Sequence, residues 1–163
     1  MGAGTTSFAE LVAQLDYAMF IVTTATSTER SGCLIGFATQ ASIHPPRFLV
    51  GLSDKNRTFR VACDAEVIVV HCVTEDAGEL AELFGGETGD EIDKFAQVQW
   101  RPGPGGAPVL AELDNWFAGR ILERIPFGDH WGFLLEPIEG EAGGSPDSLT
   151  FHRAKRIDPG HAP

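Results

Sequence analysis

Residues 32–52 read GCLIGFATQASIHPPRFLVGL. Apolar residues dominate over Cys33–Ala38, polar and small ones follow at Thr39-Gln40-Ala41-Ser42, Pro45-Pro46 closes the bend, and Arg47–Leu52 turns apolar again. The pattern predicts a strand, a polar loop, then another strand. The start of that strand is extended, because proline restricts the residue before it. Just upstream, Met19–Thr26 is apolar and β-branched and reads as a buried strand. The turn-forming STERSG at 27–32 joins it to the strand at 33–38 as a hairpin.

Outward from this stretch, the chain stays rich in strands. Asp54–Cys63 reads as a helix with Phe59 and Ala62 facing inward, and Glu66–Val73 (EVIVVHCV) as a strand. Glu75–Phe84 reads as a second helix, stopped by Gly85-Gly86. Glu87–Phe95 is acidic, a surface turn or short helix, and RPGPGGAP at 101–108 reads as a long loop without regular structure. Three further strands are expected at 115–125, 130–138 and 148–152, with Gly-rich turn material at 139–146 and a polar tail from Lys155. At the other end, Met1–Thr6 reads as a frayed arm. Ser7 caps a first helix carrying Phe8, Leu11, Val12 and Leu15 at helical spacing, with Glu10 placed for a capping box.

Six or more strands, several joined by hairpin turns, favour a mainly β chain: a closed or partly closed antiparallel barrel with short inserted helices. No Gly-x-Gly-x-x-Gly follows any strand, which argues against a doubly wound sheet. Neither side of the 101–108 loop has enough strands for its own core, so residues 1–163 are expected to form a single domain with flexible ends at 1–6 and 155–163.

Composition narrows the function. The 163 residues carry 12 Lys plus Arg against 23 Asp plus Glu, a net charge of −11. Such a surface repels nucleic acid. No apolar run reaches the roughly 18 residues of a membrane helix, and the first ten residues lack a secretion signal. Cys33, Cys63 and Cys72 are odd in number without CxxC spacing and read as reduced thiols of a cytoplasmic protein. His44, His71, His130, His152 and His161 show no HExxH spacing, so no metal site is expected. His71, inside an apolar strand, reads as a satisfied core or interface histidine. No Gly-x-Ser-x-Gly elbow is present, and the acidic stretch over 75–93 reads as a solvated face. Thr39, Gln40 and Ser42 could offer polar groups to a flat heteroaromatic ring or a phosphate, or simply satisfy a turn.

Ordered short motifs carry a resemblance. T-Q-x-S-x-x-P-P (Thr39, Gln40, Ser42, Pro45, Pro46) is followed by K-N-x-T-F (Lys55, Asn56, Thr58, Phe59). Then come FGG at 84–86, Asp93-Lys94-Phe95, Pro108-Val109-Leu110 and Gly128-Asp129-His130. Over 15–152 this order resembles the flavin reductase-like family, with its FMN-binding split barrel. The resemblance implies that Thr39, Gln40 and Ser42 hold the flavin ring edge and ribityl chain, and that backbone at Cys33, Leu34 and Gly36 lines the ring. It places Ser53, Lys55, Asn56 and Thr58 at the phosphate near a helix start, and His130, the candidate catalytic residue, beside the flavin and nicotinamide. Two positions depart from the family pattern: Gly36 stands where Ser or Asn is common, and Leu34 where Thr is. The last strand, Phe151-His152-Arg153, departs as well. The implied activity is NAD(P)H-dependent reduction of FMN, or FAD, for a partner monooxygenase or other acceptor, by a homodimer. The alternatives are a non-catalytic flavin-binding or storage protein and a deazaflavin-dependent oxidoreductase. A haem protein would need His71 or His130 as axial ligand.

Overall fold

Strand β1 (Phe20–Ala25) sends Val22 into one apolar core and Ile21 into another. Alternate residues of a strand point to opposite faces, so both faces of this sheet must be covered. The computed structural model describes residues 2–86, 89–144 and 147–157. After helix α1 (Ala3–Val12) and β1 come β2 (Arg30–Ile35), β3 (Ala38–Ser42), β4 (Arg47–Ser53), α2 (Arg57–Ala62), β5 (Val67–Cys72) and α3 (Gly78–Gly86). The chain continues through β6 (Trp100–Pro102), β7 (Pro108–Leu110), β8 (Trp116–Pro126), β9 (His130–Glu141) and α4 (Phe151–Ala154).

Seven strands make one antiparallel sheet in the order β2-β1-β5-β8-β9-β4-β3. Phe20, near one end of that order, meets Phe48, near the other, edge to face with centroids 5.8 Å apart, so the sheet is curled on itself. β2 runs into β3 through Gly36-Phe37, and the Gly51 N–H donates to the Phe37 carbonyl at 2.6 Å, tying the two ends together. The inner face buries Val22, Cys33, Val50, Leu52, Val70, Phe133 and Leu135, with Ala62 of α2 packed into the same core. Arg124 stops α2 by donating to the orphan carbonyl of Ala62 at 3.1 Å. On the outside, α3 lays Leu80, Ala81 and Phe84 over Ile21 and Val73, while the β6–β7 hairpin covers Val67, Val69 and Trp116.

His71 is the satisfied core histidine that its apolar strand implies. Its Nδ1 lies 2.9 Å from the Ile21 carbonyl, and its Nε2 accepts the Leu110 N–H at 3.0 Å, joining β5 to β1 and β7. Burial pushes its pKa down to about 4, against a smaller upward pull from the Ile21 hydrogen bond.

Six expectations change. The second helix begins at Gly78 and is not stopped by Gly85-Gly86, both of which lie within α3. The polar segment Thr39–Ser42 is strand β3, and the preceding strand runs over Arg30–Ile35. An edge strand with one neighbour needs no apolar alternation, so its sequence reads as a loop. RPGPGGAP contains β6, β7 and a one-turn 3₁₀ segment between them. Pro102 and Pro108 sit opposite each other in this two-stranded ribbon, and Gly105 and Gly106 take φ of 65° and 77° at its tip. Residues 148–152 form single bridges from Ser148 to Thr74 and from Thr150 to Ala18, then enter α4 rather than continuing as a strand. β9 runs through Glu141 into the Gly-rich segment, because β8 pairs with it to that point. The first helix begins at Ala3 behind Gly2, not at Ser7, and none of its residues is buried.

Candidate functional site

A cavity of about 230 Å³ opens between the outer face of β2, the start of α2, the end of α3 and α4. Met19, Leu34, Phe84, Phe151 and Ile157 form apolar walls, and Lys55, Arg57, Lys94 and Lys155 supply four cations. Among the described residues, no carboxylate lines it. In a chain of net charge −11, this is a local reversal of sign.

Each wall is fixed by local structure. In the turn before α2, the Asn56 N–H donates to the Ser53 carbonyl at 3.0 Å and the Lys55 N–H to Ser53 Oγ at 3.3 Å. Asn56 Oδ1 caps α2 by accepting the Thr58 N–H at 2.8 Å. Thr58 Oγ1 meets Ser31 Oγ at 2.9 Å in the interior, pinning α2 to β2. Arg57 donates to the Gly89 carbonyl at 2.8 Å and lies 3.3 Å from Glu29. Lys94 is 5% exposed, and its Nζ donates to the carbonyls of Gly32 (3.2 Å) and Phe84 (3.0 Å). The C-terminal wall is latched to the segment before β1. Phe151 stacks on Tyr17 at 4.9 Å, the Phe151 N–H donates to the Tyr17 carbonyl at 2.9 Å, and the His152 N–H donates to Asp16 Oδ1 at 3.0 Å.

Of the residues singled out in the sequence, Cys33, Leu34, Lys55 and Asn56 line the cavity, and Ser53 and Thr58 brace it from behind. The Cys33 thiol is pushed up by burial, partly offset by its bond to Thr58 and the charge of Lys94. Gly36 lies under Tyr17: a Cβ there would come within 2.5 Å of the Tyr17 ring. Leu34 packs against Gly85, whose own Cβ would lie 2.9 Å from Leu34 Cδ2. Thr39, Gln40 and Ser42 do not line the cavity. Thr39 Oγ1 donates to the Gln40 carbonyl at 3.2 Å, and Gln40 Nε2 to the Ser42 carbonyl at 3.4 Å, all within β3. His130 is also outside, packed on Phe37 at 4.8 Å with Nδ1 2.8 Å from Asp129 Oδ1. That hydrogen bond, and then the histidine's charge, hold the Asp129 carboxyl below its usual range. His161 lies outside the described residues. Sequence reading missed Arg57, Lys94, Lys155 and Tyr17. Lys94 had a signal, the Asp-Lys-Phe run in which Asp93 caps a 3₁₀ turn by accepting the Phe95 N–H at 3.0 Å. Among the described residues, no group of three His, Cys, Asp or Glu side chains could hold a metal ion.

Residues 12–158 match the model of the flavin reductase like domain family. The chain belongs to this family. A probable flavin reductase of Rhizobium meliloti is 29% identical over 113 residues, 67% of this chain but 35% of that protein, so the chain spans about a third of that relative. The FMN reductase (NADH) RutF of Ancylobacter novellus is 28% identical over 144 residues, covering 88% of this chain and 79% of the relative. Among solved structures, the nitrilotriacetate monooxygenase component B homologue of Mycobacterium thermoresistibile shares the fold. It has a TM-score of 0.80 and 21% identity, over 93% of this chain and 84% of that one. In this flavin reductase-like chain the cavity's donor set suits a flavin nucleotide: an apolar slot for a flat ring beside cations for a phosphate.

Proposed function

We propose that the chain is an FMN reductase that takes hydride from a reduced nicotinamide dinucleotide, NADH being the donor named for the Ancylobacter novellus relative. The observation that carries this reading is the cavity lined by four cations and, among the described residues, no carboxylate, in an acidic chain. Lys55, Asn56 and Arg57 hold the phosphate, and the turn braced by Ser53 and Thr58 fixes them there. Leu34, Phe84 and Phe151 exclude water from the ring, which lies beside Cys33 and Leu34 of β2. Bound FMN supplies the hydride-accepting ring, so the protein's task is position and electrostatics. The Asp129–His130 pair stands next to Lys55, outside the cavity, and in this reading orients the incoming dinucleotide. Its role is positional, because hydride transfer needs no proton donor.

The finer points of this reading rest on separate observations. Phe37 (57% exposed), Ile43 (67%) and Phe127 (57%) support a homodimer that covers them together with the open edge of β3. The Mycobacterium thermoresistibile neighbour, by name a component of a monooxygenase, supports such an enzyme as recipient of reduced flavin. Free thiols at Cys33, Cys63 and Cys72 support a reducing cytosol, and among the described residues no helix is long and apolar enough to cross a membrane. The test is NADH oxidation by the purified chain with FMN added. Oxidation that rises with FMN is the expected result. A yellow protein without oxidation would make it a flavin-storage protein, and absence of flavin binding would refute the reading.

A further inference from the structure

The four cations of the cavity are not equivalent. Lys55 and Lys155 are exposed, and Arg57 is shared with Glu29 and Asp90, so water and carboxylates screen all three. Lys94 is buried, and its ammonium is fixed by carbonyls from two elements, Gly32 on β2 and Phe84 on α3. It lines both the cavity and an adjoining cleft, whose lining also includes Glu29, Asp90, Glu91 and Asp93. An ammonium held this way inside a low-dielectric wall acts on charge in the cavity without reorganising.

Hydride transfer changes the charge in that cavity. The hydride leaves the nicotinamide with two electrons and one proton, the dinucleotide becomes oxidised, and the neutral flavin ring becomes a monoanion. The phosphate carries the same charge before and after. Cations at the phosphate therefore favour both redox forms alike, which adds affinity without favouring reduction. We infer that Lys94 is the charge that makes this cavity bind reduced flavin more tightly than oxidised flavin. The inference rests on the flavin reading of the cavity and adds to it a residue that tunes the reaction's equilibrium.

The experiment measures dissociation constants for oxidised and, under anaerobic conditions, reduced FMN in the wild type, Lys94→Met, Lys94→Arg and Lys55→Met. In Lys94→Met the preference for the reduced form should fall about tenfold, equivalent to about 30 mV in a two-electron couple. Lys94→Arg should retain the preference, and Lys55→Met should weaken both forms with the ratio unchanged. If Lys94→Met binds FMN with the wild-type ratio, Lys94 only staples β2 to α3 and the inference is overturned. If the wild type binds neither form, the flavin reading itself fails. Where Lys94→Met does not fold or does not bind, proton uptake on reduction of wild-type-bound FMN decides. One proton per flavin, in the acid range where free FMN takes up two, supports a cation stabilising the anionic ring; two protons contradict it.

Discussion

A serine at position 36 would restore the side chain common in the family, yet its Cβ would sit 2.5 Å from the Tyr17 ring. Overpacking of this kind typically costs about 1–3 kcal/mol. Gly36→Ser should therefore lower stability by about that amount in urea titrations, and by less when introduced into Tyr17→Ala, where the space is open. An equal loss in both backgrounds would show that Tyr17 is not what excludes the side chain. Position 36 was legible as a departure, but its reason was not: Tyr17 reaches it through tertiary packing, and no local spacing records that. His71 is the opposite case, since a histidine in an otherwise apolar strand announces a buried, satisfied ring. Its folded pKa of about 4 lies below the ordinary value of 6.5. The unfolded chain thus binds the extra proton first as pH falls. Stability from His71 is complete above about pH 6.5 and lost on descent to about 4, on the order of 3 kcal/mol. Urea titrations at stepped pH should show this slope, and His71→Gln should flatten it.

At the scale of elements, the C-terminal segment was read as a strand and instead supplies a wall. Two isolated bridges hold it against Ala18 and Thr74, and α4 then turns Phe151, Ala154 and Lys155 toward the cavity. The Tyr17–Phe151 stack anchors that wall, and offset aromatic pairs contribute about 0.5–1.5 kcal/mol beyond area burial. Phe151→Ala should weaken FMN binding about tenfold while costing about 1–2 kcal/mol of stability. Unchanged affinity, measured by quenching of FMN fluorescence, would detach α4 from the site. Strong strands such as β5 were legible because buried strands repeat apolar, β-branched residues. β3 and the β6–β7 ribbon were not, because edge strands and Pro-ended ribbons carry loop composition. The turn before α2, proposed to hold the phosphate, was legible in Lys55, Asn56 and Thr58 through the K-N-x-T-F run that carries the family resemblance. Lys155 was not, and Lys94 stood out only within the Asp-Lys-Phe run, since nothing in one dimension brings residues 94 and 155 to the same cavity as residue 55.

For the whole molecule, the governing fact is contrast of charge. A chain of net charge −11 repels anions over most of its surface, yet four cations from three separate segments converge on one cavity. The fold achieves this by curling seven strands so that the outer face of β2 lies beneath α3, the start of α2 and the C-terminal segment. In the proposed reading the apolar slot takes the ring of the ligand and the cations its anion. Paired titrations of FMN and riboflavin, which share the ring and differ by the phosphate, test that division most directly. FMN should bind at least about tenfold more tightly at low salt, and added salt should narrow the gap as the exposed cations are screened. Equal affinity for the two at every salt concentration would contradict a cavity built around the phosphate.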